Sequence, residues 1–211
     1  MEKKSRFSTY KIVFVGIMAA VVYVVTIFRF PLFGSKVHFA NAMCLLSGLL
    51  FGPLYGGLAA GLGSGLYDAL AGGYDVIQAL ITFVSKFAMA WICAKIAFGR
   101  DSHGRVIAGS TVGAFSYVAL YMLKTFVYQR FVYGYPHSAV WATMLAKLPA
   151  SLINAVFALA VTPILYAALK PVLSKAGILE KLQYSLNQIQ MQSRQEENDL
   201  LQLKFFSLKK L

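Results

Sequence analysis

The sequence predicts an all-α, polytopic membrane protein, a bundle of six transmembrane helices with both termini cytoplasmic. Three observations lead there. Of 211 residues, 58% are hydrophobic and only 13% are charged, and the mean hydropathy is +0.64. A water-soluble domain of this length cannot hide so much apolar surface. The apolar residues also fall into six runs divided by polar or Pro/Gly breaks. Finally, the formal charge of +12 sits mostly in segments flanking those runs, not in a stripe alternating with polar surface. The basic residues therefore read as topology signals, and no nucleic-acid partner is expected.

The amino-terminal MEKKSRF opens like a secretion signal, but no small-residue cleavage site closes the apolar run behind it, and further apolar runs follow. That run, residues 10–28, is the first span. It stops before Arg29, Pro31 and Gly34. A shorter second segment covers 39–51 and is broken by Gly52-Pro53. The third, 54–70, is crowded with Gly56, Gly57, Gly61, Gly63 and Gly65, small residues that let helix backbones approach closely in lipid. Gly72-Gly73-Tyr74-Asp75 makes the next turn, and 76–98 is a full-length span interrupted by one charge, Lys86. After the loop GRDSHGR come the fifth span, 106–126, an aromatic stretch from Tyr128 to His137, and the sixth, 139–169, ending before Lys170-Pro171. Residues 180–211 turn polar, with spaced leucines, and read as a cytoplasmic tail, either disordered or a surface amphipathic helix.

If six spans alternate, Lys3, Lys4, Arg6, Lys11, Lys95, Arg100, Arg105, Lys170, Lys175 and Lys181 all fall on one face, which the positive-inside rule makes cytoplasmic. The opposite face carries fewer cations, Arg29, Lys36 and Arg130. It also holds Asp68 and Asp75 and a set of tyrosines, Tyr67, Tyr74, Tyr128, Tyr133 and Tyr135.

Several polar residues inside apolar runs are candidates for a site. A lone ammonium at the place of Lys86 costs about 2.5–3.5 kcal/mol unless it faces a cavity or partner, so Lys86 faces inward, either as an ion pair with Asp68 or Asp75 or as a pocket donor. Lys124 and Lys147, near the outer span ends, read as snorkelling side chains or as further donors. His38 and Asn41 begin a helix just after the first outer loop, where they either cap it or touch a ligand from its rim. Asn154 reads as a helix-to-helix hydrogen-bonding residue. Tyr74, Tyr128, Tyr133, Tyr135 and Trp141 suit an interfacial belt or a flat heterocycle. Cys44 and Cys93 lie in apolar runs without metal-site spacing and read as reduced, packed thiols.

Motifs for catalysis are missing: the sequence has no HExxH, no repeated acidic motif and no P-loop. Gly63-Ser64-Gly65 with His103 or His137 is the only arrangement suggesting an intramembrane serine hydrolase, yet His103 belongs to the opposite face and His137 to a loop. No enzyme, cofactor or metal is expected. A stand-alone channel or secondary carrier is the alternative class, although a carrier usually shows an internal repeat and none is clear here.

The run FANAMCLLSGLLFGPLYGGLAAGLGSGLYDAL, followed by ITFVSKFAMAW, resembles the riboflavin-type branch of substrate-binding S components of energy-coupling factor (ECF) vitamin transporters, over about residues 8–180. The resemblance implies a six-helix subunit that binds a water-soluble vitamin from outside. It also implies docking onto a transmembrane, EcfT-like coupling protein served by two cytoplasmic ATPases, in a prokaryotic cell membrane. The docking patch would be Gly16 and Ala20, with Ala19 beside them, and Gly16 departs from the family's alanine pair. The pocket would lie at the outer ends of the helices, where this chain has His38, Asn41, Asp68, Tyr74, Lys86, Lys124 and Lys147. Riboflavin, a pyridoxine- or pyrimidine-like precursor, pantothenate and other B vitamins all remain open as ligands.

Overall fold

The computed structural model describes residues 9–32, 35–99 and 102–179. The tail 180–211 and the topology residues Lys3, Lys4, Arg6, Arg100 and Lys181 lie outside the described residues. Within them the chain is helical apart from one small hairpin. In order come α1 (Thr9–Ile27), β1 (Arg29–Leu32), β2 (Ser35–His38), α2 (Ala40–Leu70), α3 (Val76–Ala97), α4 (His103–Val127) with a π-helical turn at Tyr128–Val132, and α5 (His137–Lys175). The five α-helices are each long and apolar enough to cross a membrane, so the protein is a multi-pass membrane protein.

The two apolar segments expected at 39–51 and 54–70 form one helical element, α2, folded back on itself. Gly52, at φ 81° and ψ −178°, breaks the helix in a backbone region that essentially only glycine enters. Pro53, without an N–H to donate, suits the first position of the arm that follows. The arms then lie side by side. Ser47 Oγ donates to the Gly56 carbonyl at 2.8 Å, and Cys44 Sγ lies 3.6 Å from Ser64 Oγ, although a straight helix would put those two about 30 Å apart. The first arm, 40–51, is only about 18 Å long at 1.5 Å per residue and is buried along nearly its whole length. It is a core element wrapped by longer helices.

Glycine makes this wrapping possible. On the second arm, Gly57 and Gly61 press on the Phe87 and Phe83 rings, where an added Cβ would come within 2.8 and 2.9 Å, and Gly65 meets Phe83 one turn on. That i, i+4, i+8 stripe seats α3. Gly63, on another face, lies against the Ala19 carbonyl and Val22 and seats α1. A Cβ added to Gly113 of α4 would come within 2.8 Å of the Met89 carbonyl and 2.9 Å of Leu45. Below these contacts an apolar core of Leu45, Leu49, Met89, Cys93, Ala97 and Val106 fills the bundle.

Two ends can now be told apart. Phe98 covers Gly52, and Lys11 Nζ reaches Tyr55 Oη at 3.4 Å, so the bend of α2, the α3–α4 connection and the start of α1 share one end. Lys11, expected among the topology residues, is 1% exposed there, with its ammonium 4.7 Å from the Tyr55 ring centre. The opposite end gathers the β1–β2 hairpin, the α2–α3 turn and the π-helical turn. α5 extends past the expected 169 limit, through Lys170-Pro171, to Lys175. Its prolines 149, 163 and 171 are of a kind membrane helices accommodate.

The hairpin, not foreseen from the sequence, pairs Arg29 with His38 and Leu32 with Ser35. It is clasped to α5 by one side chain: Asn154 Nδ2 donates to the Lys36 carbonyl at 2.7 Å, and Asn154 Oδ1 accepts from the His38 N–H at 2.9 Å. The amide thus takes the place of a neighbouring strand.

Two predictions concern this framework. Gly52→Ala forces a methyl into a glycine-only conformation and should destabilise the protein by about 1–3 kcal/mol, read as a lowered unfolding midpoint in detergent. Gly16→Ala, with nothing within 4 Å of its added Cβ, should leave that midpoint unchanged. Asn154→Leu removes both hydrogen bonds to β2, a loss of about 1–3 kcal/mol for the stranded groups. Amide hydrogen exchange in 35–38 should then quicken at least ten-fold, while exchange in α3 stays slow.

Candidate binding site

A cavity of about 410 Å³ opens at the hairpin end, within the size range of small-molecule sites. Its walls come from regularly spaced side chains. α3 contributes Gln78, Thr82, Ser85 and Lys86; α4 and its π-helical turn contribute Tyr117, Tyr121, Lys124, Thr125 and Tyr128; α5 contributes Lys147, Ser151 and Asn154. Each set recurs at three- or four-residue intervals, which places it along one helix face. Ser64, Tyr67 and Asp68 of α2 complete the wall, and Arg29, Lys36 and His38 of the hairpin form the mouth.

Lys86 forms the floor. It is 2% exposed, donates from Nζ to Asn41 Oδ1, and holds its ammonium 3.6 Å from the Tyr117 ring centre. The ion-pair alternative with Asp75 is corrected here. That carboxylate caps α3, accepting from the Gln78 N–H at 2.8 Å, from Gln78 Nε2 at 2.8 Å and from Tyr128 Oη at 3.1 Å. The N–H of Gln78 foremost holds the Asp75 carboxyl below the usual carboxylate range. Asp68 shares the cavity wall with Lys86, but the ammonium's hydrogen bond goes to an amide.

Of the seven residues expected in a pocket, His38, Asp68, Tyr74, Lys86, Lys124 and Lys147 line this cavity. Asn41 stands behind it, 1% exposed, orienting Lys86. Lys124 turns inward instead of snorkelling, donating to the Gln78 carbonyl at 3.3 Å and to Thr82 Oγ1 at 3.1 Å. Tyr74 accepts from Lys36 Nζ at 3.3 Å; burial, then Asp68, pushes its phenol above the ordinary range. Burial, then the Arg29 charge, lowers the Lys36 ammonium, with Asp68 opposing. His38 is pushed down to about 3, chiefly by burial and then by Lys86, Arg29 and Lys36, so its imidazole is neutral at physiological pH.

Tyr128 and Tyr133 also line the cavity, whereas Tyr135 and Trp141 do not. Ser64 is on the wall, but the hydroxyl faces Cys44; His103 lies at the opposite end beside Pro163 and Tyr166, and His137 is not on the lining. The arrangement expected of a serine hydrolase from those residues is not assembled. Among the described residues, no group of three or more His, Cys, Asp or Glu side chains could hold a metal.

Sequence reasoning missed Arg29, Lys36, Gln78, Thr82, Ser85, Tyr117, Tyr121 and Gln129. A usable signal was present: the polar residues 78, 82, 85 and 86 on α3, and 117, 121, 124, 125 and 128 on α4, keep helical spacing inside otherwise apolar runs. Two buried side-chain polar atoms have no hydrogen-bond partner among the described residues, His38 Nδ1 and Gln129 Oε1, and both residues line this cavity.

Near the middle of α1, Gly16 and Ala20 are exposed, while Ala19 is buried with its carbonyl against Gly63. Of the expected docking patch, Ala19 therefore belongs to the packing of the bundle and not to its outer surface.

A search of solved structures finds a likeness to a chain described as "Structure and mechanism of the S component of a bacterial ECF transporter". The TM-score is 0.62 at 18% identity, over 77% of this chain and 96% of that one. At that identity the likeness speaks to the fold. Among curated proteins, none matches. Residues 6–171 match the family described as ECF-type riboflavin transporter, S component. With most of its length covered by that match, and with apolar helices enclosing a polar cavity at one end, the chain belongs to the ECF-type riboflavin transporter S component family.

Proposed function

We propose that this chain is the substrate-specificity subunit of an ECF-type importer in a prokaryotic cell membrane, taking a water-soluble vitamin or vitamin precursor into the cavity from outside. In this reading the two arms of α2 count as separate spans, six in all, and both termini are cytoplasmic. The observation that carries it is the cavity of about 410 Å³ at the hairpin end, walled by polar and cationic side chains that α3, α4 and α5 present from an otherwise apolar bundle. Leaving a buried polar group unpaired costs about 1–3 kcal/mol, and a ligand with matching donors and acceptors recovers it.

A stand-alone channel fits less well, because the core of Leu45, Leu49, Met89 and Cys93 packs the bundle beyond the Lys86 floor. Transport would instead come from a partner. Gly16 and Ala20 offer an exposed small-residue step on α1, suited to close contact with a helix of an EcfT-like coupling protein, and two separate cytoplasmic ATPases would supply the energy. The orientation is supported by Lys95, Arg105, Lys170 and Lys175, which belong to the end opposite the cavity.

Purified protein in detergent, titrated with a panel of labelled B vitamins, should bind one of them at submicromolar affinity. Lys86→Leu should weaken that binding at least thirty-fold, about 2 kcal/mol. Failure of a folded sample to bind any vitamin would refute the proposal. A second variant separates binding from transport. Gly16 is exposed and a Cβ added there meets nothing within 4 Å, so Gly16→Leu should bind normally, yet cells relying on it together with its coupling protein and ATPases should lose uptake.

A further inference from the structure

The charges around the cavity do not balance. Arg29, Lys36, Lys86, Lys124 and Lys147 bring five cations to its wall, and Asp68 brings one carboxylate. Asp75, the neighbouring acid, is turned onto Gln78 and Tyr128. The hydrogen-bonding and ring partners of the cations are neutral: Asn41 and Tyr117 for Lys86, Thr82 and the Gln78 carbonyl for Lys124, Tyr74 for Lys36, and the Tyr67 ring, 5.1 Å away, for Arg29. Such groups solvate a charge without cancelling it. Lys147, on the wall one turn before Ser151 of α5, makes no side-chain hydrogen bond among the described residues.

An open, water-filled cavity tolerates this excess. Closing it around a neutral molecule would not, because removing water strengthens repulsion among the cations. A monoanion would still leave most of the imbalance. Resting on the importer reading, we propose that the ligand is a small acid of at least two negative charges, a phosphate monoester or a dicarboxylate joined to a flat ring. Its anionic group is received at the mouth by Lys36, Lys147 and Arg29: among the described residues Lys147 and Arg29 donate no side-chain hydrogen bond, and the one from Lys36, to Tyr74, is exposed. Tyr117 and Tyr121, stacked at 6.2 Å between ring centres, offer flat faces to the ring. Lys86 and Lys124 are already fixed by their own partners and set the positive potential of the floor.

The test compares ligands that differ only in charge. Calorimetric titrations of the purified full-length chain would use riboflavin and its phosphate monoester, pyridoxal and its phosphate monoester, and folate as a dicarboxylate. One phosphate monoester should bind at least about ten-fold tighter than its neutral parent, with an affinity that falls as salt is raised. Lys36→Gln combined with Lys147→Gln should shrink that preference to about three-fold or less. Folate binding tighter than either phosphate would also support the proposal and assign the acid to carboxylates. Riboflavin or pyridoxal binding as tightly as its phosphate would overturn the proposal while leaving the importer reading intact, and this comparison needs only the wild-type protein. A folded sample that binds none of these ligands but does bind another, uncharged vitamin would overturn this inference alone, whereas silence toward the whole vitamin panel would bring down the importer reading and this inference together.

Discussion

The burial of the Lys86 ammonium is the constraint on which the rest of the molecule is arranged. An unaccompanied lysine in the middle of a membrane helix is costly, and here it is answered by two neutral groups, the Asn41 amide and the Tyr117 ring. Those groups belong to the first arm of α2 and to α4, so three helices converge where the charge is met. An amide and a ring hold the ammonium in place without neutralising it, leaving a fixed positive floor to the cavity. Had the partner been a carboxylate, the floor would be rigid but electrically silent.

Bringing Asn41 to that position depends on the glycines. The first arm of α2 is short, about 18 Å, and it reaches Lys86 because the chain reverses at Gly52 and because the second arm is thin enough to let α1 and α3 close around it. Side chains at 57, 61 and 63 would hold those helices apart by the width of a methyl group or more. In lipid, where apolar burial between helices gives little net gain, such close backbone approach is a main source of cohesion. Packing density at one end of α2 thereby sets the geometry of a polar site at the other.

The sequence revealed these features unevenly, for physical reasons. Long spans such as 76–98 and 106–126 are legible because their length and apolarity answer directly to bilayer thickness. Lys86, Lys124 and Lys147 stand out because charges in apolar runs demand an explanation. The α2 hairpin was legible as two segments with a Gly-Pro break, but their side-by-side packing emerges only from tertiary contacts such as Ser47 with Gly56. The β1–β2 hairpin left almost no trace, since Pro31 sits in one strand and four-residue strands carry little periodicity. Thr82, Ser85 and Tyr121 were passed over because a hydroxyl in a membrane helix is unremarkable by itself. Only the alignment of several along one face distinguishes a cavity wall from routine hydrogen bonding to the preceding turn.

The two ends of the cavity differ in a way that bears on how it works. Its floor is made of side chains on packed helices, with Lys86 and Lys124 each fixed by named partners. Its mouth is made of a two-stranded hairpin, a turn containing Gly73 at φ 72°, and a π-helical turn. Among the described residues, the hairpin's hydrogen bonds to α5 run through the side chain of Asn154. Elements held by few contacts open at low free-energy cost, whereas a floor shared by three helices opens only if the bundle itself comes apart. A ligand entering from the mouth can therefore draw the hairpin toward itself through Arg29 and Lys36 while the floor stays where it is. On the proposed reading, the attraction that selects the ligand also favours closure, since two of the three cations that meet it at the mouth, Arg29 and Lys36, are carried by the hairpin.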